Sequence, residues 1–217
     1  FLFSLFGAFL EQAGMITLFT DFALGLFGHT KGGPAKVAVV SSGLMGTING
    51  SGVANVVTTG QFTIPLMKRF GYKPAFAGGV EATSSMGGQI MPPVMGAVAF
   101  IMAETINVPY VEVVKAATIP ALLYFASAFW MVHLEAGRMG LHGLPKSECP
   151  DAWAAVRRGW HLILPLAALV WLLFSGYTPL FSGTVGLALT AILILGVAVA
   201  ARLSAIALRF AFWIALG

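Results

Sequence analysis

One uncharged stretch of the sequence, residues 37–67, limits most strongly what this chain can fold into. It contains no charged residue over 31 positions, and basic residues flank it at Lys36 and Lys68. Its centre is glycine-rich and polar around Asn49 and Gly50. A core strand of a soluble protein would not need this length, and a plain membrane span would not carry this centre. The pattern predicts a helical hairpin that enters a membrane, turns at residues 49–52 and leaves on the same side.

The composition is that of a membrane protein. Hydrophobic residues make up 58% of the chain and charged residues only 9%, whereas a soluble domain carries about 25% charged residues. The 26 glycines are expected where membrane helices approach closely or break. The predicted fold class is therefore an all-α, polytopic integral membrane protein. Since the chain begins without Met inside an apolar run, we expect it to be a fragment of a longer protein.

The rest of the chain divides around this hairpin into three predicted parts. Residues 1–30 are predicted to form the end of a membrane helix and an arm or interfacial helix. Residues 31–109 hold the hairpin and a second helix that is broken at residues 87–93 by two glycines and two prolines. Residues 110–217 are predicted to form further transmembrane helices, with a cytoplasmic loop at 133–160 and a last apolar helix at 203–216.

The distribution of positive charge favours the hairpin over a single long span. If residues 37–67 crossed the membrane once, the basic residues before and after them would lie on opposite sides. If residues 37–67 form a hairpin, the basic residues before and after them lie on the same side of the membrane. When each later span then crosses in the opposite direction to the one before it, eleven of the twelve lysines and arginines lie on that side. Only Lys115 lies opposite. Because basic residues concentrate in the cytoplasm, the hairpin is predicted to open to the cytoplasm.

The hairpin tip and the helix break are predicted to form a binding site. Irregular backbone at membrane depth is tolerated only inside protein or beside a water-filled cavity, and secondary transporters place substrates and ions at such discontinuities. The nearby oxygen ligands are uncharged, which suits a monovalent cation. The alternative is that small polar residues only hold helices together. The predicted substrate- and ion-binding residues are Asn49, Ser51, Asn55, Thr58, Ser84, Ser85, Gly88 and Gln89.

Glu81, one turn before the break, leaves two interpretations open. Carboxylates inside a membrane usually have a function, so Glu81 could carry protons or face the ion site. It could equally be an interfacial residue paired with Lys73. Elsewhere the sequence shows no nucleophile with its base, no phosphate loop and no Cys/His ligand set, which disfavours an intramembrane enzyme, a cofactor and a nucleic-acid partner.

Long motifs in the central region resemble the large membrane subunit of tripartite ATP-independent periplasmic (TRAP) transporters. The resemblance is strong over residues 30–125, and the second half of the motifs is similar to the TAXI subgroup, in which the small and large membrane subunits are usually fused. The tip reads Asn-Gly-Ser-Gly where the family commonly has Ser-Gly-Ser, and Met86 stands where the family commonly has Thr. The matching segments are Gly32-Gly33-Pro34-Ala35-Lys36, Gly46-Thr47-Ile48, Val53-Ala54-Asn55-Val56-Val57-Thr58-Thr59-Gly60, Phe62-Thr63-Ile64-Pro65 and Gly87-Gly88-Gln89-Ile90-Met91-Pro92-Pro93.

The resemblance implies a sodium-coupled elevator transporter in the bacterial inner membrane. Its partners would be a periplasmic binding protein that delivers an organic acid, a small membrane subunit fused upstream, and membrane lipid. The chain would be half of an inverted-repeat structure, with the second repeat after Gly217. Among the predicted site residues, the candidates for sodium ligands are Ser51, Asn55, Ser85 and Gly88. A non-transporting scaffold or assembly subunit remains the alternative function.

Overall fold

The computed structural model describes residues 2–194 and residue 196. Within these residues the chain is all α-helical, apart from turns, loops and two short 3-10 helices at Gly88–Ile90 and Lys146–Glu148, and contains no strand. The predicted all-α fold is confirmed. The α-helices are α1 Leu2–Gln12, α2 Met15–Phe27, α3 Gly33–Asn49, α4 Gly52–Arg69, α5 Pro74–Gly87, α6 Ala97–Thr105, α7 Tyr110–Arg138, α8 Ala152–Phe174 and α9 Pro179–Ile194.

Two segments of the described chain are long and apolar enough to cross a membrane. They are α7 and the segment Lys146–Phe174, which ends in α8. Helices α1 and α2 qualify together as a third, although they are bent by 68° at the break between them. Helix α7 has 29 residues, so it is about 43 Å long and exceeds the roughly 30 Å of a bilayer's hydrocarbon core. These lengths fit a polytopic membrane protein.

Helices α3 and α4 form the predicted hairpin. They are separated only by Gly50 and Ser51, and Gly50 has a φ of 59°, which a residue without Cβ adopts at little cost. Ser51 caps α4 because its hydroxyl accepts a hydrogen bond from the Ala54 amide. At the open end, Ala35 of α3 and Met67 of α4 belong to one buried cluster. The turn predicted at residues 49–52 is therefore confirmed.

The hairpin tip lies partway along the helix bundle. Asn49 at the tip contacts Glu11, the penultimate residue of α1. Helices α1 and α6 continue beyond this level, where the Phe3 ring stacks on Phe100 and Phe100 stacks on Tyr110 at the start of α7. The hairpin thus ends inside the bundle, as a re-entrant segment would.

The second predicted discontinuity, the broken helix, is also present. Helix α5 ends at Gly87, the 3-10 turn follows, and residues 91–96 are not helical before α6 begins. The Gly96 amide donates to the Gln89 carbonyl at 2.7 Å and closes this segment into a loop. The peptide bond between Pro92 and Pro93 is cis. The break extends three residues beyond the predicted end at position 93.

The polar loop is shorter than predicted, spanning residues 139–151 instead of 133–160. Helix α7 continues to Arg138, which forms an ion pair with Glu135 one turn earlier at 3.8 Å. Helix α8 begins at Ala152 because Asp151 caps it, accepting a hydrogen bond from the Trp153 amide at 3.0 Å. Polar residues therefore extend both helices past their apolar parts, and the loop boundaries read from hydropathy were wrong.

Helix α2, predicted as an arm or interfacial helix, is packed within the bundle. Helix α2 packs against α3 and α8, and Met15, Leu18 and Ala23 are buried. The bend before it occurs at Gly14, whose φ is 104°. The nearly uniform apolar surface of α2 reflects packing on two sides within the bundle. The helix predicted at 203–216 lies outside the described residues.

The positive charges of the described chain gather at one end of the bundle. This end is formed by the starts of α3, α5 and α8 and by the ends of α2, α4 and α7. Gly25 near the end of α2 lies against Pro150, just before α8. Gly32, just before α3, lies against Ala136 near the end of α7 and against Tyr72 between α4 and α5. We call it the basic end. Among the described lysines and arginines only Lys115 lies at the opposite end, paired with Glu112 at 2.8 Å. The residues at the basic end are Lys31, Lys36, Lys68, Arg69, Lys73, Arg138, Lys146, Arg157 and Arg158.

Candidate ion and substrate site

The hairpin tip and the helix break meet directly, backbone against backbone. A Cβ on Gly46 would overlap the Gly88 backbone, and one on Gly50 would overlap the Met95 carbonyl. Only glycine permits approaches this close. The two discontinuities that the sequence places about 40 residues apart therefore form one structural centre, which we call the tip–break junction (residues 46–55 and 86–96).

Four helix ends converge at the tip–break junction. Helices α3 and α5 end there, and helices α4 and α6 begin there. The free carbonyls of helix C-termini attract cations and the free amides of N-termini attract anions. The junction thus offers both polarities, without a lysine or arginine among its own residues.

Asn55 connects the hairpin arms to the break. Its side chain is fully buried, and Nδ2 donates to the Ser42 carbonyl of α3 at 2.8 Å. Its Oδ1 has a single long contact, 3.5 Å to the Thr59 hydroxyl. A Cβ on Gly88 would lie 3.2 Å from Asn55 Nδ2. Asn55 therefore has an amide oxygen with spare acceptor capacity beside the break.

Asn49 and Ser51 lie at the tip, where other groups already hold them. Asn49 Nδ2 donates to the Glu11 carboxylate at 3.1 Å, and Asn49 Oδ1 accepts from the Ser51 amide at 3.2 Å. The Ser51 hydroxyl accepts from the Ala54 amide at 3.4 Å. Glu11 is a contact that sequence reasoning missed, because it comes from α1, outside the predicted site region. It brings a carboxylate to the edge of the junction.

Of the other predicted site residues, some lie at the tip–break junction and others do not. Gln89 lies at the junction, with its side-chain nitrogen close to Met86 Sδ and to the position a Cβ on Gly52 would take. Thr58 bonds only carbonyls of its own helix, those of Ala54 and Asn55. Ser84 is buried, and its hydroxyl has no partner among the described residues.

Glu81 is the main buried polar feature near the junction. It is 0% exposed and accepts four hydroxyl hydrogen bonds from three helices. Oε1 accepts from Ser42 at 3.0 Å, Thr59 at 2.5 Å and Ser85 at 2.8 Å, and Oε2 accepts from Thr63 at 2.5 Å. These five residues, which we call the Glu81 cluster, join α3, α4 and α5.

The alternative that paired Glu81 with Lys73 was wrong. Lys73 is exposed at the start of α5, and no lysine or arginine of residues 2–194 forms an ion pair with Glu81. Hydroxyl groups donate to Glu81 in place of a lysine or arginine, because a buried carboxylate needs hydrogen-bond donors for its oxygens. The predicted sodium ligand Ser85 uses its hydroxyl for Glu81, and its backbone carbonyl already accepts a hydrogen bond from the Gly88 amide. Only the second lone pair of that carbonyl is left for an ion.

The sequence did contain a signal for this cluster. Thr59 and Thr63 are four residues apart on α4, and Glu81 and Ser85 are four residues apart on α5. Residues at this spacing share a helix face. Two polar faces on neighbouring helices of an uncharged segment indicate a buried polar contact between those helices.

Comparisons with known proteins give one consistent family. The family described as "Tripartite ATP-independent periplasmic transporter, DctM component" matches residues 1–212. The C4-dicarboxylate TRAP transporter large permease protein DctM of Pseudomonas aeruginosa is 29% identical over 82% of this chain and 41% of its own length. The sialic acid TRAP transporter large permease protein SiaM of Vibrio cholerae is 28% identical over 82% of this chain and 41% of its own. The 2,3-diketo-L-gulonate TRAP transporter large permease protein YiaN of Escherichia coli is 24% identical over 84% of this chain and 43% of its own. The chain thus spans less than half the length of these relatives.

Proposed function

Because the chain belongs to the DctM component family of tripartite ATP-independent periplasmic transporters, we propose that it forms part of a membrane permease for organic acids. The family confirms the resemblance to the large membrane subunit of these transporters, and it is a family of transporter components, not of enzymes. Three of its relatives are named for carboxylate-bearing compounds, a C4-dicarboxylate, a sialic acid and a diketogulonate. These names support an organic acid as the substrate class.

The proposal extends to the parts of the transporter that the motifs imply. The permease is a TAXI-type protein of the bacterial inner membrane, crosses it several times and has a small membrane subunit fused upstream. A periplasmic binding protein delivers the substrate. The basic end faces the cytoplasm, since basic residues concentrate there. The described residues form one half of an inverted-repeat, elevator-type structure.

The single observation that carries this function is the convergence of four helix ends at the tip–break junction. A substrate carboxylate is suited to the N-termini of α4 and α6, and sodium to the carbonyls at the ends of α3 and α5. The spare oxygen of Asn55, the Ser51 hydroxyl and the backbone carbonyls of Ser85 and Gly88 supply hard ligands for sodium. The donor set is uncharged, which fits a monovalent ion.

The Glu81 cluster supports the mobile-unit part of the proposal. It ties both hairpin arms to α5 through hydrogen bonds of 2.5 to 3.0 Å. Buried, fully satisfied networks make packed elements rigid. We propose that α3, α4 and α5 therefore move as one body and carry the tip–break junction with them. A scaffold subunit without transport activity is the competing function.

Uptake by the full-length permease tests the proposal. The permease is reconstituted into proteoliposomes and supplied with its binding protein and a radiolabelled organic acid. We expect accumulation with an inward sodium gradient and at least tenfold less when choline replaces sodium. Asn55→Leu and Ser51→Leu should each lower uptake to less than about a tenth, because they remove polar ligands at a site where binding requires them.

The controls separate the alternatives. Thr105→Leu makes the same kind of change at an exposed position of α6 and should leave uptake unchanged. Uptake that persists without sodium but needs a pH gradient would refute sodium coupling. No uptake under any gradient would favour the scaffold, and wild-type uptake in both tip variants would exclude the junction from the site.

A further inference from the structure

A long apolar groove runs between α5 and α7, on the side of α5 away from the Glu81 cluster. Its volume is about 450 Å³, and Val39 of α3 lines it together with α5 and α7. Thr83 and Tyr124 close one end, where the Tyr124 hydroxyl donates to the Thr83 carbonyl at 2.8 Å. We call it the α5–α7 groove. Residues that line it include Phe76, Gly79, Thr83, Tyr124, Ala128 and Val132.

The groove has the length of one lipid leaflet. It extends along α5 from Ala75 to Ser84 and along α7 from Tyr124 to Val132. At 1.5 Å per residue these segments are about 12 to 14 Å long, close to the roughly 15 Å of hydrocarbon in one half of a bilayer. The groove also runs parallel to α7, a membrane-crossing helix, so an acyl chain could lie along its whole length.

The mouth of the groove lies at the basic end. Lys73 is the residue before α5 and is exposed, two positions from Ala75 in the groove lining. Lys68 and Arg69 are exposed in the last turn of α4. Arg138 ends α7 and is 83% exposed, although Glu135 shares part of its charge. Positive side chains and the N-terminus of α5 together favour a negatively charged headgroup there.

From this charge and shape we propose that the α5–α7 groove binds an anionic phospholipid. One acyl chain lies in the groove between α5 and α7, and the headgroup phosphate lies beside Lys73 at the start of α5. The inference rests on the membrane placement of the chain, not on transport. A bound lipid would fill the gap between α5 and α7, and so link the proposed mobile body to the long helix beside it.

Photo-crosslinking with the full-length permease tests this proposal. The protein is reconstituted into nanodiscs of phosphatidylcholine that contain a trace of phosphatidylglycerol with a photoreactive group at the end of one acyl chain. Crosslinks are mapped by mass spectrometry. We expect crosslinked peptides from residues 75–84 and 124–132 in spite of the excess of phosphatidylcholine, and a loss of crosslinking when unlabelled phosphatidylglycerol replaces part of the phosphatidylcholine.

Two pairs of variants separate a built site from general lipid contact. A Cβ on Gly79 or on Gly78 meets nothing within 4 Å, but only Gly79 lines the groove. Gly79→Leu should therefore reduce crosslinking at least fivefold, whereas Gly78→Leu should not. Lys73→Ala should reduce the preference for phosphatidylglycerol about fivefold, the effect of one basic residue at a membrane surface. Lys115→Ala, at the opposite end, should leave it unchanged.

Several results would overturn the proposal. Equal crosslinking in Gly79→Leu and Gly78→Leu would show ordinary lipid contact without a site. Crosslinking that unlabelled phosphatidylglycerol does not reduce would show that the groove does not select an anionic headgroup. If the wild-type protein gives no crosslinked peptide from residues 75–84 or 124–132, another part of the full-length chain covers the groove and the lipid does not bind there.

Discussion

Gly46→Ala is expected to lower organic acid uptake by the full-length permease at least tenfold. The added Cβ would overlap the Gly88 backbone, and backbone atoms cannot rotate away as a side chain can. Overpacking of this kind costs about 1–3 kcal/mol and pushes the hairpin away from the break. The measurement is initial uptake in proteoliposomes with an inward sodium gradient, normalised to the amount of inserted permease.

The control for Gly46→Ala is Gly78→Ala. Both positions are glycines inside α-helices. Replacing glycine by alanine raises the intrinsic helix stability by about 1 kcal/mol at either position. Gly78 has open space for a Cβ, so its variant should transport like wild type. If both variants transport equally well, the close contact between hairpin and break is not needed for uptake.

Glu81→Leu is expected to destabilise the full-length protein by about 3 kcal/mol. The hydroxyls of Thr59 and Thr63 keep carbonyl partners in their own helix, at 2.7 and 3.0 Å, and Ser42 keeps the Thr59 hydroxyl at 3.1 Å. The buried Ser85 hydroxyl loses its acceptor at Glu81. Each buried polar group left without a partner costs about 1–3 kcal/mol. The measurement is the apparent unfolding temperature of the purified protein in detergent, which should fall by several degrees.

Two further variants serve as comparisons for Glu81→Leu. Glu81→Gln keeps the shape and one acceptor oxygen, so it should destabilise less than Glu81→Leu. Glu104→Leu changes an exposed glutamate of α6 and should leave the unfolding temperature near that of wild type. An unchanged unfolding temperature in Glu81→Leu would mean that the Glu81 cluster does not hold the three helices together.

The hairpin and the broken helix could be predicted because their causes are local. Gly50 permits the left-handed turn, glycines and prolines interrupt α5, and the position of basic residues requires both hairpin arms to end together. These signals lie within a few residues of the structure they determine. The ends of α7 and α8 were placed less well, since an Asp151 cap and the Glu135–Arg138 pair extend the helices beyond what hydropathy indicates.

The partners within the site could not be predicted because they depend on how helices pack. The contact of Glu11 with Asn49 depends on the packing of α1 against α3. The use of the Ser85 hydroxyl by Glu81 requires α3, α4 and α5 to present their polar faces to one point. Sequence spacing shows which residues share a helix face, but not which other face opposes it.

A disulfide between positions 52 and 86 tests the central claim, that the hairpin tip and the helix break form one site. A Cβ on Gly52 would lie 3.1 Å from the Cα of Met86. The two Cα atoms are therefore at most about 4.6 Å apart, at the short end of the separations that disulfides span. In a Cys149→Ser background, Gly52→Cys with Met86→Cys should form an intramolecular bridge in native membranes under mild oxidation, whereas Gly52→Cys with Gly78→Cys should not. No bridge in the first pair, or equal bridging in both, would contradict the meeting of tip and break.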